Sequence, residues 1–464
     1  MIGRPTRSSS ILLGLALSAI SSAVAQLPPK SSVARVVDSL AKDFIASRGA
    51  PGVSIAVVRD RDTLVMTGWG KADLENDVPA TAHTVYRIGS ITKQFTASAV
   101  MQLVEQGKVR LDDSIGSYLP SLPTAWHAVT VRQLLNHTSG IPSYTDIGPR
   151  WIRRWGEEMP PDTLVALTAS DTLWFKPGSS WRYDNSGYVV LGMLVSKVAE
   201  RPWATDIIER FAKPLGLADT RNCDTRPIIK HRAQGYEPAE GEWVNAQYLA
   251  MSQPYAAGAL CSSVGDLARW NRALGLGQVV KPESYATMTT PEGAAAKAAL
   301  KYGFGLARDT IAGRTVISHG GGINGFITSN AWFPAERLSV TVLTNSGAAR
   351  PDGLMAQVAR AALGAPLLRP PAKVAITAAE LAKYVGVYEL KVGAQSVDFT
   401  FAERNGELYG QLATQDPIPL MYIGNDIFGA SVDPTLRIAF TLENGKASRV
   451  SLKQGGLTAE GARK

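Results

Sequence analysis

Apolar residues recur at helical spacing in several segments of the chain. In the first of these, Val33, Val37, Leu40 and Phe44 fall on one face of a helix. The pattern predicts amphipathic helices, because one apolar stripe can then pack against a core. The segments are residues 31–47, 186–200, 264–277 and 353–364.

Short β-branched runs predict strands near both ends of the first 360 residues. The segment "GVSIAVVRDRDTLVMTGWG" (52–70) contains two such runs around a polar turn, which indicates a hairpin. Further strands are predicted within residues 314–346. Hairpins join antiparallel strands. We therefore expect an α+β domain over residues 31–364, with an antiparallel sheet flanked by helices and an all-helical region in its loop-rich middle.

A different pattern begins after the Pro-rich segment "APLLRPPAK" (365–373), which is typical of a linker. Beyond it, short alternating strands are separated by turn residues, including Asn405-Gly406 and Asn444-Gly445. Residues 374–464 are therefore predicted to form a small all-β, barrel-like domain.

The N-terminus has the features of a secretory signal peptide. Arg4 and Arg7 precede the apolar run "ILLGLALSAISSAVA", which ends in Ala23-Val24-Ala25. We expect residues 1–25 to be removed after Ala25 and the protein to be periplasmic or secreted. An uncleaved membrane anchor is the alternative, although the run is shorter than a membrane span. No stable membrane span is expected once the signal is cleaved.

Charge and cysteine content narrow the expected partners. The formal charge of +8 is spread along the chain without basic clusters, so nucleic-acid binding is not expected. The five histidines are scattered, and neither a metal site nor another cofactor is predicted. In an oxidising compartment Cys223 and Cys261 could form one disulfide, and two buried thiols are the alternative. The expected partner is a small-molecule or peptide substrate, and the sequence does not indicate an oligomeric state.

Lys93 is the one charged residue between Ile88 and Val104, and it follows Ser90 by three positions. Residues at this spacing share a helix face, and Ser90 would lie near the positive end of the helix. A desolvated lysine has a lowered pKa and can accept the proton of a nucleophilic serine. The alternative is a helix-capping serine followed by a surface lysine. Ser39 and Lys42 repeat the spacing within a charged amphipathic helix, and we interpret them as a decoy.

Tyr183-Asp184-Asn185 is the only Tyr-x-Asn sequence in the chain. A tyrosine beside a cation can be partly ionised and act first as a general base and then as an acid. Asn185 could donate to a substrate carbonyl and hold Lys93. Viewed alone, the segment could equally be a turn whose tyrosine packs on the following helix.

His319-Gly320-Gly321-Gly322 ends a predicted strand, where glycines would permit close approach of a substrate. A plain glycine-rich turn is the alternative. Gly320-x-Gly322-x-x-Gly325 also matches the dinucleotide-binding pattern. We reject that interpretation, because the next segment is strand-like and no acidic residue stands about 20 positions further on.

Taken in this order and at these separations, the three motifs resemble those of the class C β-lactamase and D-alanyl-D-alanine carboxypeptidase family of serine hydrolases. The resemblance covers about residues 35–360 and includes "LLNHTSGIPSY" and "AAGALCSSVGDLARW". It implies that Ser90 is the acylated nucleophile, that Lys93 activates it and that Tyr183 relays the proton. It also implies substrate or oxyanion binding by the residues Asn185, His319, Gly321 and Gly322.

The third motif departs from the β-lactamase pattern, which usually has Lys-Thr-Gly or Lys-Ser-Gly. His319 offers a largely neutral imidazole and Gly320 no hydroxyl, so efficient β-lactam hydrolysis is not expected. His137 is interpreted as structural. We expect an exported serine hydrolase that acts on small amides or esters, with D-amino-acid peptides among the candidates. A true β-lactamase and a non-catalytic cell-wall receptor are the rival hypotheses.

Overall fold

The computed structural model describes residues 27–369, 372–392, 395–412, 417–430, 433–454 and 457–464. The predicted signal peptide, residues 1–25, lies outside the described residues. Among the residues that are described, every helix is too short or too polar to cross a bilayer.

The helices are α1 (Lys30–Ala46), α2 (Thr92–Glu105), α3 (Val131–Leu135), α4 (Pro149–Ile152), α5 (Pro161–Ala166), α6 (Asn185–Ala199), α7 (Trp203–Ile207), α8 (Tyr255–Gly258), α9 (Val264–Gly275), α10 (Pro282–Thr289), α11 (Gly293–Lys297), α12 (Pro351–Leu363) and α13 (Ala378–Leu381). Short 3₁₀ turns span Gly89–Ile91, Ile115–Ser117, Thr124–Trp126 and Tyr144–Asp146, and a π-helical turn spans Ile208–Ala212.

The strands are β1 (Gly52–Arg59), β2 (Asp62–Asp73), β3 (Val78–Pro79), β4 (Tyr86–Arg87), β5 (Arg221–Asn222), β6 (Tyr236–Ala239), β7 (Glu242–Asn245), β8 (Leu260–Ser262), β9 (Ala307–Ile311), β10 (Arg314–Ile323), β11 (Phe326–Phe333), β12 (Leu338–Thr344), β13 (Gly386–Val392), β14 (Gln395–Arg404), β15 (Glu407–Leu412), β16 (Ile418–Gly424), β17 (Ile427–Ala430), β18 (Asp433–Glu443), β19 (Lys446–Gln454) and β20 (Leu457–Arg463).

One antiparallel sheet is built from the two ends of the first domain, as the sequence predicts. Its strand order is β3-β2-β1-β12-β11-β10-β9, so the N-terminal hairpin pairs with a strand that begins at Leu338. The predicted hairpin forms with Arg59 opposite Asp62, and Asp60 turns the chain with a positive φ of 51°. The long helix α2 lies in the adjoining helical region, whose apolar residues form a core of their own.

Alternation along β1 explains how the sheet is covered on both faces. Val53, Ile55 and Val57 are fully buried in a cluster with residues of α1 and α12. Ala56 points to the opposite face and joins the core of the helical region. A fully buried aliphatic side chain contributes about 1.5–3 kcal/mol. Burial on both faces therefore favours a single register for β1 in the sheet.

The C-terminal strands β13 to β20 close into an eight-stranded antiparallel barrel. Tyr388, Phe401 and Phe440 are among the aromatic side chains that fill its interior. Both predicted Asn-Gly turns join paired strands, and Asn405 and Asn444 have the positive φ that such two-residue turns require.

The expected disulfide is not present. Cys223 and Cys261 are both buried and both are free thiols. Cys261 lies in β8, and the amide of Cys223 donates to the carbonyl of Ala259 immediately before that strand. Burial raises the pKa of the Cys261 thiol, which keeps it protonated and unreactive. The alternative of two buried thiols therefore describes the structure.

Thiol titration checks this correction. In buffer without reductant, Cys223 and Cys261 are expected to react with a thiol reagent only after unfolding, because each is at most 1% exposed in the fold. The unfolded protein should then show two thiols, and a Cys261→Ala variant should show one. An unreactive unfolded protein whose mass is lower by two hydrogens would establish the disulfide instead.

Candidate active site

Ser90 lies in the 3₁₀ turn that leads directly into α2. The preceding Gly89 has a positive φ of 49°, and a Cβ atom there would lie 2.9 Å from the backbone nitrogen of Gly322. A larger residue would be strained and would push the two backbone segments apart. Gly89 thus holds Ser90 against the end of β10.

Lys93 occupies the first turn of α2 with its side chain fully buried. Its Nζ atom lies 3.1 Å from Ser90 Oγ. It also lies 2.7 Å from Asn185 Oδ1 and 2.9 Å from the carbonyl oxygen of Ala257. Burial lowers the pKa of Lys93 well below its ordinary value, although the charge of Asp184 acts in the opposite direction.

All three partners of Lys93 Nζ are oxygen atoms. The carbonyl oxygens of Asn185 and Ala257 can only accept hydrogen bonds, so Nζ donates to both. Toward Ser90 Oγ, Nζ donates when it is protonated and can accept the hydroxyl proton when it is neutral, the form that burial favours. The geometry therefore places a proton acceptor one hydrogen bond from a hydroxyl nucleophile.

Asp184 caps α6 and so fixes where Tyr183 and Asn185 enter the site. Its carboxylate accepts hydrogen bonds from the amide of Gly187 at 3.0 Å and from the hydroxyl of Ser139 at 3.1 Å. Burial nevertheless raises the pKa of Asp184 to about 7, because these bonds and the charge of Lys93 only partly offset desolvation. Asp184 therefore titrates near neutral pH.

Asn185 is held by the segment that contains Ser143 and Thr145. Its side-chain Nδ2 donates to Thr145 Oγ1 at 3.0 Å, and its amide donates to Ser143 Oγ at 3.1 Å. These bonds orient the side-chain oxygen toward Lys93. The Asn185 side-chain oxygen therefore accepts a hydrogen bond from Lys93 Nζ in a fixed orientation.

The hydroxyl of Tyr183 is buried and has no hydrogen-bond partner among the described residues. Burial raises its pKa, and the nearby hydroxyl of Ser90 opposes the shift only in part. Lys93 Nζ lies 4.7 Å from the centre of the Tyr183 ring. The resting phenol is therefore protonated, which corrects the expectation of a partly ionised tyrosine.

The end of β10 forms an open sheet edge beside Ser90. β9 pairs with β10 only as far as Ser318, so the edge from His319 to Ile323 lies free of a neighbouring strand. Gly322 is exposed there. Gly321, by contrast, is buried, and a Cβ atom on it would lie 2.0 Å from the carbonyl oxygen of Ile88. Gly321 thus allows β10 to pack against the chain before Ser90, rather than allowing a substrate to approach.

His319 lies on this edge strand, and its ring centre is 6.2 Å from that of Tyr183. Its Nδ1 is 2.5 Å from the carbonyl oxygen of Gly320, and its Nε2 is 2.8 Å from the hydroxyl of Tyr302. Since a carbonyl only accepts, Nδ1 carries the proton and Nε2 accepts from Tyr302. Burial, together with the charge of Lys93, lowers the pKa of His319 to about 3. The imidazole is therefore neutral at physiological pH.

His137 is fully buried beneath Tyr183, with ring centres 4.3 Å apart. Its Nδ1 accepts the amide hydrogen of Asp184 at 3.2 Å, which is the structural role expected from the sequence. Ser39 and Lys42 lie exposed on α1, where Lys42 forms an ion pair with Asp38 at 2.8 Å. They are remote from this network, as the decoy interpretation requires.

Two cavities adjoin the cluster. One of about 230 Å³ is lined by Ser90, Asn185 and Gly322, together with Tyr144 and Trp151. The other, of about 680 Å³, extends from His319, Gly320 and Tyr302 toward α12. The larger cavity is also lined by Leu300, Ile311, Val316, Met355 and Leu368.

Sequence reasoning missed several residues of the site. Tyr302 binds His319, Ser143 and Thr145 hold Asn185, and Trp151 lines the smaller cavity. None of these residues belongs to one of the three spaced motifs, although Ser143 lies in the segment "LLNHTSGIPSY" that carries part of the resemblance. Their positions depend on contacts between distant segments, which a single sequence does not reveal.

An antiparallel sheet beside a helical region, with a serine, a buried amine and a phenol at their junction, defines a serine hydrolase of the β-lactamase type. The Beta-lactamase family model matches residues 37–365, and the chain belongs to that family. The motifs Ser90-x-x-Lys93, Tyr183-x-Asn185 and His319-x-Gly321 all lie within the matched region.

Three relatives show how the chain compares with known proteins. It is 28% identical to penicillin-binding protein 4* of Bacillus subtilis over 87% of this chain and 92% of the relative. It is 28% identical to a D-aminopeptidase of Gluconobacter oxydans over 68% of this chain and 59% of the relative. A crystal structure of D-amino acid amidase from Ochrobactrum anthropi in complex with D-phenylalanine is 25% identical, with a TM-score of 0.64 over 70% of this chain and 98% of the amidase.

The lowered pKa of Lys93 predicts a specific pH dependence of stability. The unfolded lysine has an ordinary pKa of 10.5, whereas the folded pKa is lowered. Between these values the unfolded chain binds one more proton, so the unfolding free energy of the wild type rises with pH relative to Lys93→Met. The slope is at most about 1.4 kcal/mol per pH unit, and it is best measured above the titration of Asp184, between pH 8 and 10.

Chemical denaturation of both proteins across this pH range measures the slope. Lys42→Met is the matched control, because it removes an exposed lysine, and its difference from wild type should be nearly independent of pH. A flat difference for Lys93→Met would mean that the buried lysine is charged.

Proposed function

We propose that this protein is an exported serine hydrolase that forms an acyl-enzyme on Ser90 and hydrolyses it. The supporting observation is the fully buried amine of Lys93, which lies 3.1 Å from Ser90 Oγ and whose pKa is lowered by burial. The predicted signal peptide supports export. The substrates are small amides or esters, and the names of the D-aminopeptidase and the D-amino acid amidase add D-amino-acid derivatives to the candidates.

In acylation, Ser90 Oγ attacks the substrate carbonyl carbon while its proton passes to Lys93 Nζ. Negative charge then develops on the carbonyl oxygen. The backbone N–H groups of Ser90 and Gly322 are the donors we assign to this oxyanion, because Gly89 keeps the two backbone segments in contact. Asn185 keeps Lys93 in place and can donate to the substrate carbonyl.

Tyr183 is the proton donor to the leaving nitrogen or oxygen. Its pKa is raised by burial, so the phenol holds a proton that it can deliver as the bond to the leaving group breaks. Lys93 then returns the serine proton to Tyr183, which restores both groups. In deacylation, water attacks the acyl carbon and gives a proton to the pair of Lys93 and Tyr183. Ser90 Oγ then leaves and takes a proton from the same pair.

Neither rival hypothesis accounts for the site as well. A β-lactamase of the usual pattern has a cation and a hydroxyl where this chain has neutral His319 and Gly320, so a substrate carboxylate would lack a charged partner here. A passive receptor would not require a desolvated amine aimed at a serine hydroxyl, since burying that amine costs stability.

Labelling tests the nucleophile. A fluorophosphonate probe is expected to add one adduct to the wild type and none to Ser90→Ala, as seen by mass spectrometry of the intact protein and of its peptides. Ser39→Ala is the matched control, since it removes the serine of the exposed decoy and should leave labelling unchanged. Equal labelling of Ser90→Ala would exclude the proposed nucleophile.

Steady-state kinetics separate the hydrolase from the β-lactamase. We expect a p-nitrophenyl ester to be turned over and a chromogenic cephalosporin to be turned over slowly or not at all, because no cation meets its carboxylate at His319. Rapid cephalosporin turnover would favour the β-lactamase hypothesis. Ser90→Ala should lose the ester activity in the same assay.

A further inference from the structure

The smaller cavity must hold the acyl half of a substrate. Ser90 and Gly322 line it, so a carbonyl attacked by Ser90 lies at its mouth. Tyr183 and His319 do not line it, whereas His319 lines the larger cavity. Because the leaving atom must face the proton donor Tyr183, the leaving group extends away from the smaller cavity. The acyl side chain then enters it.

Aromatic and aliphatic side chains form the wall of this acyl cavity. Tyr144 and Trp151 meet edge to face, with ring centres 5.5 Å apart, and Leu249, Pro254 and Ile323 are the aliphatic lining residues. The volume of about 230 Å³ is below that of a typical drug-sized pocket, so it fits one small group. A single phenyl ring or a short branched chain is of this size.

Gln253 holds the two aromatic rings in place. Its side-chain oxygen accepts from Trp151 Nε1 at 2.7 Å, and its backbone oxygen accepts from the hydroxyl of Tyr144 at 2.7 Å. Gln253 is itself fully buried, and its Nε2 donates to the carbonyl oxygens of Arg154 and Glu157. Both rings therefore have their polar atoms satisfied behind the wall, and their apolar surfaces remain for a ligand.

Charge is missing from this wall. None of the described residues that line the acyl cavity has an ionisable acid or base as its side chain, apart from Tyr144, whose pKa is raised by burial. Asp146, next to the lining residue Thr145, is ion-paired with Arg182 at 3.1 Å. An α-ammonium group bound beside the scissile carbonyl would lose water without gaining a carboxylate partner.

We propose that the acyl group of the substrate is uncharged and carries an apolar side chain of about phenyl size, selected by Tyr144, Trp151 and Leu249. This inference rests on the acyl-enzyme function proposed above. The proposed specificity differs from that in the names of the D-aminopeptidase and the D-amino acid amidase. An arylalkanoyl or N-acylated substrate is preferred over an amide or ester of a free amino acid.

Three p-nitrophenyl esters with a common leaving group test the proposal on the full-length protein. They carry acetyl, 3-phenylpropanoyl and D-phenylalanyl groups, and the last two differ only by the α-ammonium. We expect kcat/KM for 3-phenylpropanoyl to exceed that for acetyl by roughly 10- to 100-fold, through burial of the ring. It should exceed that for D-phenylalanyl by about 100-fold or more, through the unpaired charge.

Two variants test whether the wall of the acyl cavity causes this preference among acyl groups. Trp151→Ala should lower the ratio of phenylpropanoyl to acetyl kcat/KM by about tenfold or more. The matched control Trp69→Ala, which removes a partly buried tryptophan packed against α1, should leave that ratio unchanged. Leu249→Glu should raise the ratio of D-phenylalanyl to phenylpropanoyl, since it supplies a carboxylate.

The outcomes distinguish this proposal from the function on which it rests. Hydrolysis of all three esters at similar rates, or preference for D-phenylalanyl in the wild type, would overturn the acyl specificity while leaving the Ser90 hydrolase in place. An unchanged ratio in Trp151→Ala would also overturn it. Absence of turnover together with an unlabelled Ser90 would instead overturn the proposed function.

Discussion

The arrangement around Ser90 depends on the burial of one amine inside the protein. Lys93 is fully buried, and its two nearest carbonyl acceptors come from Asn185 at the start of α6 and from Ala257 in α8. A charged ammonium in this place would be costly without a close anion. Burial also raises the pKa of Asp184 to about 7, so its carboxyl group is only partly ionised at neutral pH. Burial therefore favours the neutral amine, the form of this side chain that can accept a proton.

A second constraint, on the backbone, brings the nucleophile to the sheet. Gly89 and Gly321 each lack the Cβ atom that would keep the turn before α2 away from β10, and Thr328 Oγ1 donates to the carbonyl of Ile88 at the same point. The serine hydroxyl and an unpaired strand edge can then face one carbonyl group. Gly89 and Gly321 thus allow the two chain segments to pack closely, and Gly89 and the exposed Gly322 both line the smaller cavity.

Local patterns predicted most of the fold. Helical spacing located α1, α6, α9 and α12, and Asn-Gly turns located two hairpins of the barrel, because these signals depend on neighbouring residues. The spaced motifs also predicted that Ser90, Tyr183 and His319 lie in one site. The free state of Cys223 and Cys261, the bond from Tyr302 to His319, and the anchoring of Trp151 by Gln253 were not predictable. Each depends on contacts between segments far apart in sequence.

His319 and the aromatic wall act in the same direction. Neutral His319 puts no cation at the third motif, and the aromatic wall behind Ser90 offers an amine no carboxylate. In the proposed function, Asp309, Asp352 and Arg360 bring charge to the larger cavity, whereas recognition of the acyl group rests on apolar contact and on hydrogen bonds to the carbonyl itself. Such contacts discriminate by shape and size rather than by charge. On the function proposed here, such a site carries out acyl transfer from Ser90 and selects the acyl group by its size rather than by its charge.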